Sequence, residues 1–397
     1  ALVGGYCGDG TTDEDAGEQC DDGSESSTCT SNCTAKTAFV STWKTTTSDE
    51  SISIPMRYGY NYDYIVDWGD GTTSEVTAHN DSDATHAYAE AGDYTVTITG
   101  TMETIYFYAG YSSSAKIISI ENLGSVGWKS FYYAFSGCSN LGSVAGGDTS
   151  QVTDMSYMFN NALMADPDTS GWDTSNVTDM SQMFYYAYEA NPDTSDWNTS
   201  KVTTMESMFV YAKKATPDTS KWDTSEVTSM RMMFYQAHLA NPDVENWNTL
   251  KVTNMSDMFY YAFEANPVTN KWNIASVTAL SNIFFSTEST GISDENYSRF
   301  LTMAANTSTQ SSLSIGTTYT NYYGGAVDAR AVLTTNGWSI NDSGVGGSGC
   351  GDGSIDTALG EVCDDGNFET ELSCSYGETS CDFCNSDCSE EITFEPS

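Results

Sequence analysis

The chain has 397 residues, 55 of them acidic and 14 basic, for a formal charge of −41. That field repels the phosphates of nucleic acid and the head groups of anionic lipid, which argues against both as partners, and no apolar run is long enough to span a membrane. Nine Trp and 25 Tyr point to packed structure despite the many Gly, Ser and Thr, and the length allows two to four domains.

Residues 1–36 form a short polar segment with four cysteines, Cys7, Cys20, Cys29 and Cys33. A second copy begins at Cys350 and adds Cys363, Cys374, Cys381, Cys384 and Cys388. Even-numbered clusters in short polar segments read as disulfide modules made in an oxidising, extracellular setting. Pairing stays open, with the sequential Cys7–Cys20 and Cys350–Cys363 preferred. Acids crowd both loops: Asp9, Glu18, Asp21 and Asp22 in one, Asp352, Glu361, Asp364 and Asp365 in the other. Such oxygen-rich loops suit calcium, the one candidate cofactor; the competing reading is acidic turns held by disulfides alone. Both copies resemble the cysteine-rich C-G-D-G…E-x-C-D-D-G module of secreted myxobacterial and protist proteins, although Ser24 stands where the second copy has Asn367. No signal peptide is visible, so Ala1 reads as a mature N-terminus.

Residues 37–107 alternate in strand fashion, in SISIPM, YDYIVDW and YTVTITG, with a tight turn at Asp67-Trp68-Gly69-Asp70-Gly71-Thr72. With His86-Ala87-Tyr88 and Gly92-Asp93-Tyr94, this pattern resembles PKD-type immunoglobulin-like sandwiches. The resemblance makes Trp68 and Tyr88 core aromatics and His86 a packing and hydrogen-bonding residue.

Residues 108–146 are degenerate repeats. A 25-residue unit then recurs, opened by Trp172, Trp197, Trp222, Trp247 and Trp272, and reading W-[DN]-T-S-x-V-T-x-M-x-x-M-F-x-x-A with a Pro five residues on. A fixed short period means that no unit buries its own apolar face and that neighbours stack. The inward columns are expected at Val177, Met180, Met183 and Phe184 and their equivalents one period away. Val-Thr-x-Met suits a short parallel strand, and Met-Phe-x-x-Ala a helical or 3₁₀ turn. Residues 290–342 lack the period and read as an end cap, and Gly344–Gly349 as a linker.

Two columns carry functional interest. Asp168, Asp193, Asp218 and Asp243 follow the prolines; they read as turn caps, with a ladder of weak cation sites as the sharper alternative. Tyr185, Tyr186, Tyr211, Tyr235, Tyr260 and Tyr261 are expected near the surface, with Tyr132 and Tyr133 upstream. Amphipathic rings of low entropy cost suit a binding or assembly surface. Before Val, the residues Asn176, Lys201, Glu226, Lys251 and Ser276 alternate in sign, which favours register more than stability.

The stretch KIISIENLGSVGW, the segment FYYAFSGCSNL and the V-T-x-M-x-x-M-F array together resemble the BspA-like leucine-rich-repeat surface proteins over roughly residues 37–342. That resemblance implies a secreted or surface-displayed protein of the adhesion type, and a buried free thiol at Cys138. The expected organisation is a disulfide-rich module at 1–36, a PKD-like β-sandwich at 37–107, a leucine-rich-repeat-like solenoid with short parallel strands at 108–345, and a second disulfide-rich module at 346–397.

Three histidines, His79, His86 and His238, have no nucleophile or metal-ligand spacing around them, and no phosphate-binding glycine loop is present. The expectation is therefore a non-catalytic protein. Its partner would be an extracellular protein or glycan; the alternative is a structural subunit that assembles with copies of itself into a filament or surface layer through its terminal modules. Asn-x-Ser/Thr triplets at Asn32, Asn80, Asn176, Asn198, Asn254, Asn296, Asn306 and Asn341 would carry glycans if the host has the machinery.

Overall fold

The computed structural model describes residues 36–108, 111–286, 291–317 and 319–345, and the backbone of two short strands near the C-terminus. The chain falls into two compact units, Ala1–Pro217 and Asp218–Ser397. In the first unit the strands are β1 (Phe39–Lys44), β2 (Glu50–Ser53), β3 (Tyr62–Asp67), β4 (Thr73–Val76), β5 (Thr85–Tyr88), β6 (Asp93–Met102), β7 (Ile117–Asn122), β8 (Ser143–Val144) and β9 (Asp166–Pro167).

Seven of these strands make one sheet in the order β4-β3-β6-β1-β7-β8-β9. It is antiparallel from β4 to β7 and parallel from β7 to β9. Strict alternation buries one face: Phe39, Ser41 and Trp43 on β1, and Tyr62, Tyr64 and Val66 on β3. A separate antiparallel pair, β2 with β5, closes over the end of β3. There the Tyr88 hydroxyl donates to the Trp68 carbonyl at 2.8 Å, and the His86 ring stacks on Trp68 with centroids 5.1 Å apart. Gly100 sits at φ +116° on β6, and any Cβ there would lie 2.5 Å from the Asp63 carbonyl oxygen, so the β3–β6 register requires glycine.

The fold class expected from the sequence, a sandwich followed by a leucine-rich-repeat-like solenoid of short parallel strands, is corrected. What forms is a mixed sheet that takes in strands on both sides of residue 107, and a repeat region in which no parallel strand is sustained. Two features end the strands. Val-Thr-x-Met makes only single-residue parallel bridges, such as Asp154 with Asp179 and Asn254 with Ala279. The bridging Asp or Asn side chain accepts from the N–H two residues on (Asp154 from Ser156, Asp179 from Ser181, Asn254 from Ser256) and turns the chain at once. The second extended column stops at proline. Pro167 ends β9 without an N–H to pass on, and beyond it side chains replace the backbone ladder, with Asn191 N–H donating to Asp166 Oδ1 and Thr216 N–H to Asn191 Oδ1.

Successive repeats are held together through turns instead. In Met155–Asn161 the N–H groups of Met155, Tyr157, Phe159 and Asn161 donate to the carbonyls of Asp179, Ser181, Met183 and Tyr185, while Met158, Asn160 and Ala162 donate back three residues within their own repeat. Alternate N–H groups thus serve different repeats. Two residues per repeat take the left-handed conformation, for example Gln182 at φ 54° and Tyr186 at φ 58°. The columns expected inside are inside: Val177, Met180, Met183, Phe184 and their equivalents are buried, as are the Trp that open each unit. Phe159, Phe184 and Phe209 stack with centroids 5.7 and 5.4 Å apart.

In the second unit the repeats continue with the same turns, and Phe234, Phe259 and Phe284 stack in turn. The edge of Phe284 meets Phe300 of α1 (Asp294–Thr307), a helix capped by Ser293 Oγ, which accepts from Asn296 N–H. There follow β10 (Ser314–Gly316), α2 (Ala326–Thr335) and β11 (Ser339–Asn341), the two strands parallel. Asp342, with its side chain 1% exposed, takes a two-pronged bond from Arg330 at 2.9 and 3.1 Å and a third from the Tyr297 hydroxyl. The antiparallel pair β12 (Cys381–Cys384) and β13 (Glu391–Phe394) completes the described backbone.

Phe184→Ala should destabilise the first unit by about 3–5 kcal/mol, because a stacked ring leaves a cavity between two others; an unchanged thermal midpoint would place that column outside the core. Acid should act at the β1–β2 turn. Glu50 accepts from Thr46 N–H at 2.6 Å and from Lys116 Nζ at 2.9 Å, contacts that hold its pKa at about 2 against an ordinary 4.5. A carboxylate depressed in this way stabilises the fold above 4.5, and that stability is lost as the pH falls towards 2. Denaturant midpoints between those limits should fall less for Glu50→Gln than for the native chain.

Candidate functional site: tyrosine columns on the repeats

The buried Phe of a repeat is followed by two half-buried residues at Phe184, Phe234 and Phe259, although Val210 after Phe209 and Asn160 after Phe159 are buried, and tyrosine fills many of these positions. Tyr185, Tyr186, Tyr211, Tyr235, Tyr260 and Tyr261 are all half-buried, each covering the core with part of its ring. In the first unit Tyr186 stacks on Tyr211 with centroids 4.4 Å apart, and Tyr185 leans on Tyr186 at 4.8 Å. In the second, Tyr235, Tyr260 and Phe285 stack at 4.6 and 5.1 Å, within 14° of parallel, and Tyr261 meets Tyr260 edge-on. Tyr186 and Tyr211 hold left-handed backbones, which costs a β-carbon-bearing residue about 1–2 kcal/mol that the ring stack helps to offset. Partial burial and its neighbour Tyr211 push the Tyr186 hydroxyl up to about 12, so it remains a neutral donor at physiological pH.

Tyr133 belongs to a different column, with Tyr157 and Gln182 in the Met-x-x-Met turn, and Tyr132 stands one place before it. Tyr133 stacks on Tyr157 at 4.4 Å, and Gln182 Nε2 donates to the Tyr157 hydroxyl at 2.6 Å. This second column adjoins a cluster that sequence reasoning missed. The Arg57 guanidinium lies 4.6 Å from the Tyr132 ring centroid, 5.3 Å from Tyr106 and 5.8 Å from Tyr60. Nothing in the spacing of Met-Arg-Tyr-Gly-Tyr-Asn-Tyr at 56–62 points to rings so far along the chain; the richness of that stretch in tyrosine was the only available signal.

The aspartates after the prolines act as turn caps. Asp168 Oδ1 accepts from Ser170 N–H and hydroxyl, Asp193 from Ser195 N–H, Asp218 from Ser220 N–H and hydroxyl, and Asp243 from Glu245 N–H. The Ser170 hydroxyl, then its N–H, lowers the pKa of Asp168, and Ser220 does the same for Asp218. Among the described residues, no group of three or more His, Cys, Asp or Glu is arranged to hold a metal ion. The sign-alternating column pairs between repeats, Lys201 with Asn176 and Lys251 with Glu226. Threonines run beside it: Thr178 donates N–H and hydroxyl to the Thr153 carbonyl, and Thr203 likewise to Thr178.

Cys138 is a buried free thiol whose pKa burial raises, so it is not poised to react. Each histidine packs on a ring: His79 on Tyr58, His86 on Trp68 and His238 on Phe263. Of the sequon residues, Asn80, Asn198, Asn306 and Asn341 are exposed and Asn176 and Asn254 half-buried. Asn296 is buried, and its amide donates to Asn266. The candidate calcium ligands Asp9, Glu18, Asp21, Asp22, Asp352, Glu361, Asp364 and Asp365 lie outside the described residues, as do Asn32 and the candidate disulfide cysteines Cys7, Cys20, Cys29, Cys33, Cys350, Cys363, Cys374 and Cys388. Cys381 and Cys384 are described as strand backbone only.

The family described as "Mycoplasma protein of unknown function, DUF285" matches the repeats twice, over residues 129–241 and 190–298. It is related to BspA-like surface repeat proteins. No curated protein and no solved structure matches the chain. Among the described residues no helix is long and apolar enough to cross a membrane.

The capping role of the aspartates has a direct check. Asp168→Asn keeps an acceptor and should leave the thermal midpoint nearly unchanged. Asp168→Ala removes two hydrogen bonds and should cost about 1 kcal/mol. Calcium should shift neither midpoint; a calcium-dependent rise lost in both variants would make the column a cation site.

Proposed function

We propose that the protein is a non-catalytic binding protein, secreted or displayed at a cell surface, that engages an extracellular protein or glycan through its tyrosine columns. The observation that carries this reading is the Tyr186–Tyr211 stack, matched in the second unit by Tyr235–Tyr260. Such rings are held in place before any partner arrives, so little entropy is lost on binding, and each offers an apolar edge beside a hydroxyl. The backbone around them is occupied in bonds between repeats, which leaves side chains as the means of recognition. The family match to the repeats and the abundance of acidic groups are in keeping with a protein that works in a salty medium outside the cell.

The test uses arrays of extracellular-matrix proteins and glycans, with light scattering and electron microscopy of the same preparation. Asn161 and Gln236 occupy the positions of Tyr186 and Tyr211 in other repeats, so Tyr186→Asn with Tyr211→Asn is a substitution the fold already accepts. The native chain should be monomeric and bind an array member, and the double variant should bind at least about tenfold more weakly, as expected for aromatic hot spots. Undiminished binding by a folded double variant, or ordered fibres of the native chain, would overturn this reading in favour of another surface or of self-assembly.

A further inference from the structure

We propose that Arg57 and the tyrosines around it form a binding site for a carboxylate-bearing saccharide, separate from the tyrosine columns of the repeats. Arg57 is half-buried among Tyr60, Tyr106 and Tyr132. Its backbone N–H donates to the Tyr62 hydroxyl, and its carbonyl accepts from that hydroxyl, at 2.8 and 3.2 Å. The side chain is held by rings instead: its guanidinium meets no hydrogen-bond acceptor and no carboxylate at ion-pair distance among the described residues.

This is unexpected in a chain with nearly four acids per base. Three other half-buried cations have carboxylate partners: Lys116 has Glu50, Arg299 has Glu295 and Arg330 has Asp342. Asp154 is the acid whose charge Arg57 feels, but its Oδ1 already accepts from the Ser156 N–H and hydroxyl. A guanidinium gripped by aromatic rings keeps its forked N–H donors for a planar acceptor, and carboxylate fits that fork with two parallel bonds.

The rest of the ligand follows from the rim. Tyr108, which packs against Tyr106 at 6.1 Å, is 52% exposed, and the rings of Tyr60, Tyr106 and Tyr132 around the guanidinium are themselves half-buried. Open tyrosine rings beside a cation suit the C–H face of a sugar ring whose acid group reaches the arginine. The overall charge of −41 disfavours polyphosphates and other dense polyanions. A single carboxylate on an otherwise neutral sugar incurs little of that repulsion and gains the local cation.

The test titrates the full chain with a panel of oligosaccharides ending in uronic or sialic acid, their methyl esters, and a glutamate tripeptide, followed by calorimetry and tyrosine fluorescence. At least one acidic sugar should bind saturably. Its methyl ester should bind at least about tenfold more weakly, because the charge-assisted bonds are gone, and added salt should weaken the acid form alone. Arg57→Gln should lose at least about tenfold as well; the loop it sits on is tied by backbone bonds that this substitution leaves in place. The Tyr186→Asn, Tyr211→Asn double variant should bind the acidic sugar as the native chain does, whether or not the repeat columns have a partner of their own. Absence of saturable binding across the panel, equal affinity for acid and ester, indifference to Arg57→Gln in a folded variant, or tighter binding of the tripeptide would each overturn the proposal.

Discussion

The alternation of hydrogen-bond partners along the Met-x-x-Met-Phe turn is the constraint on which the repeat region depends. A buried turn must satisfy every N–H and carbonyl, and a run of ordinary turns leaves half of them unpaired. Here one N–H in two closes a turn inside its own repeat, and the next reaches the following repeat. The arrangement works only if two residues per repeat take a left-handed backbone, which tyrosine, glutamine, serine, asparagine, methionine and aspartate all do at equivalent positions. Bonds from both neighbours impose the strained conformation, and side-chain identity is secondary.

That ladder sets what each side chain can do. Val, Met and Phe project inward from fixed points and stack on their equivalents, giving a core of repeated contacts. Asp and Asn end each extended step by accepting from the backbone two residues on, so the many acids of this chain are partly structural. Charges between repeats pair along the stack, as Lys251 does with Glu226. Exposed pairs of this kind contribute little to stability, but they penalise a slip of register.

Tyrosine carries the recognition proposed for this chain. Stacked rings in the repeat columns are preorganised by the same ladder that orders the core, whereas the cage around Arg57 is assembled from a loop after β2, the segment after β6 and the first repeats. One surface is generated by repetition and the other by the meeting of distant segments. A protein can change the second without disturbing the first.

The sequence by itself determined the period and the buried columns and offered the aspartates as turn caps, because each follows from residue type at a fixed spacing; the burial of Trp68, Tyr88 and Cys138 was legible only through resemblance to known families. It did not determine whether the repeats would pair as strands. Val-Thr-x-Met has the composition of a strand, yet a cap two residues on and a proline in the second column cut each extended run short, and that outcome rests on which N–H groups find partners in the neighbouring repeat. Nor did it reveal that the strands before and after residue 107 share one sheet, since the pairing of β1 with β7 joins segments with no common motif. The cage around Arg57 was likewise decided only in the tertiary structure: Tyr60 is three residues away, but Tyr106 and Tyr132 lie far along the chain, and nothing but the folded backbone brings them within 6 Å of the guanidinium.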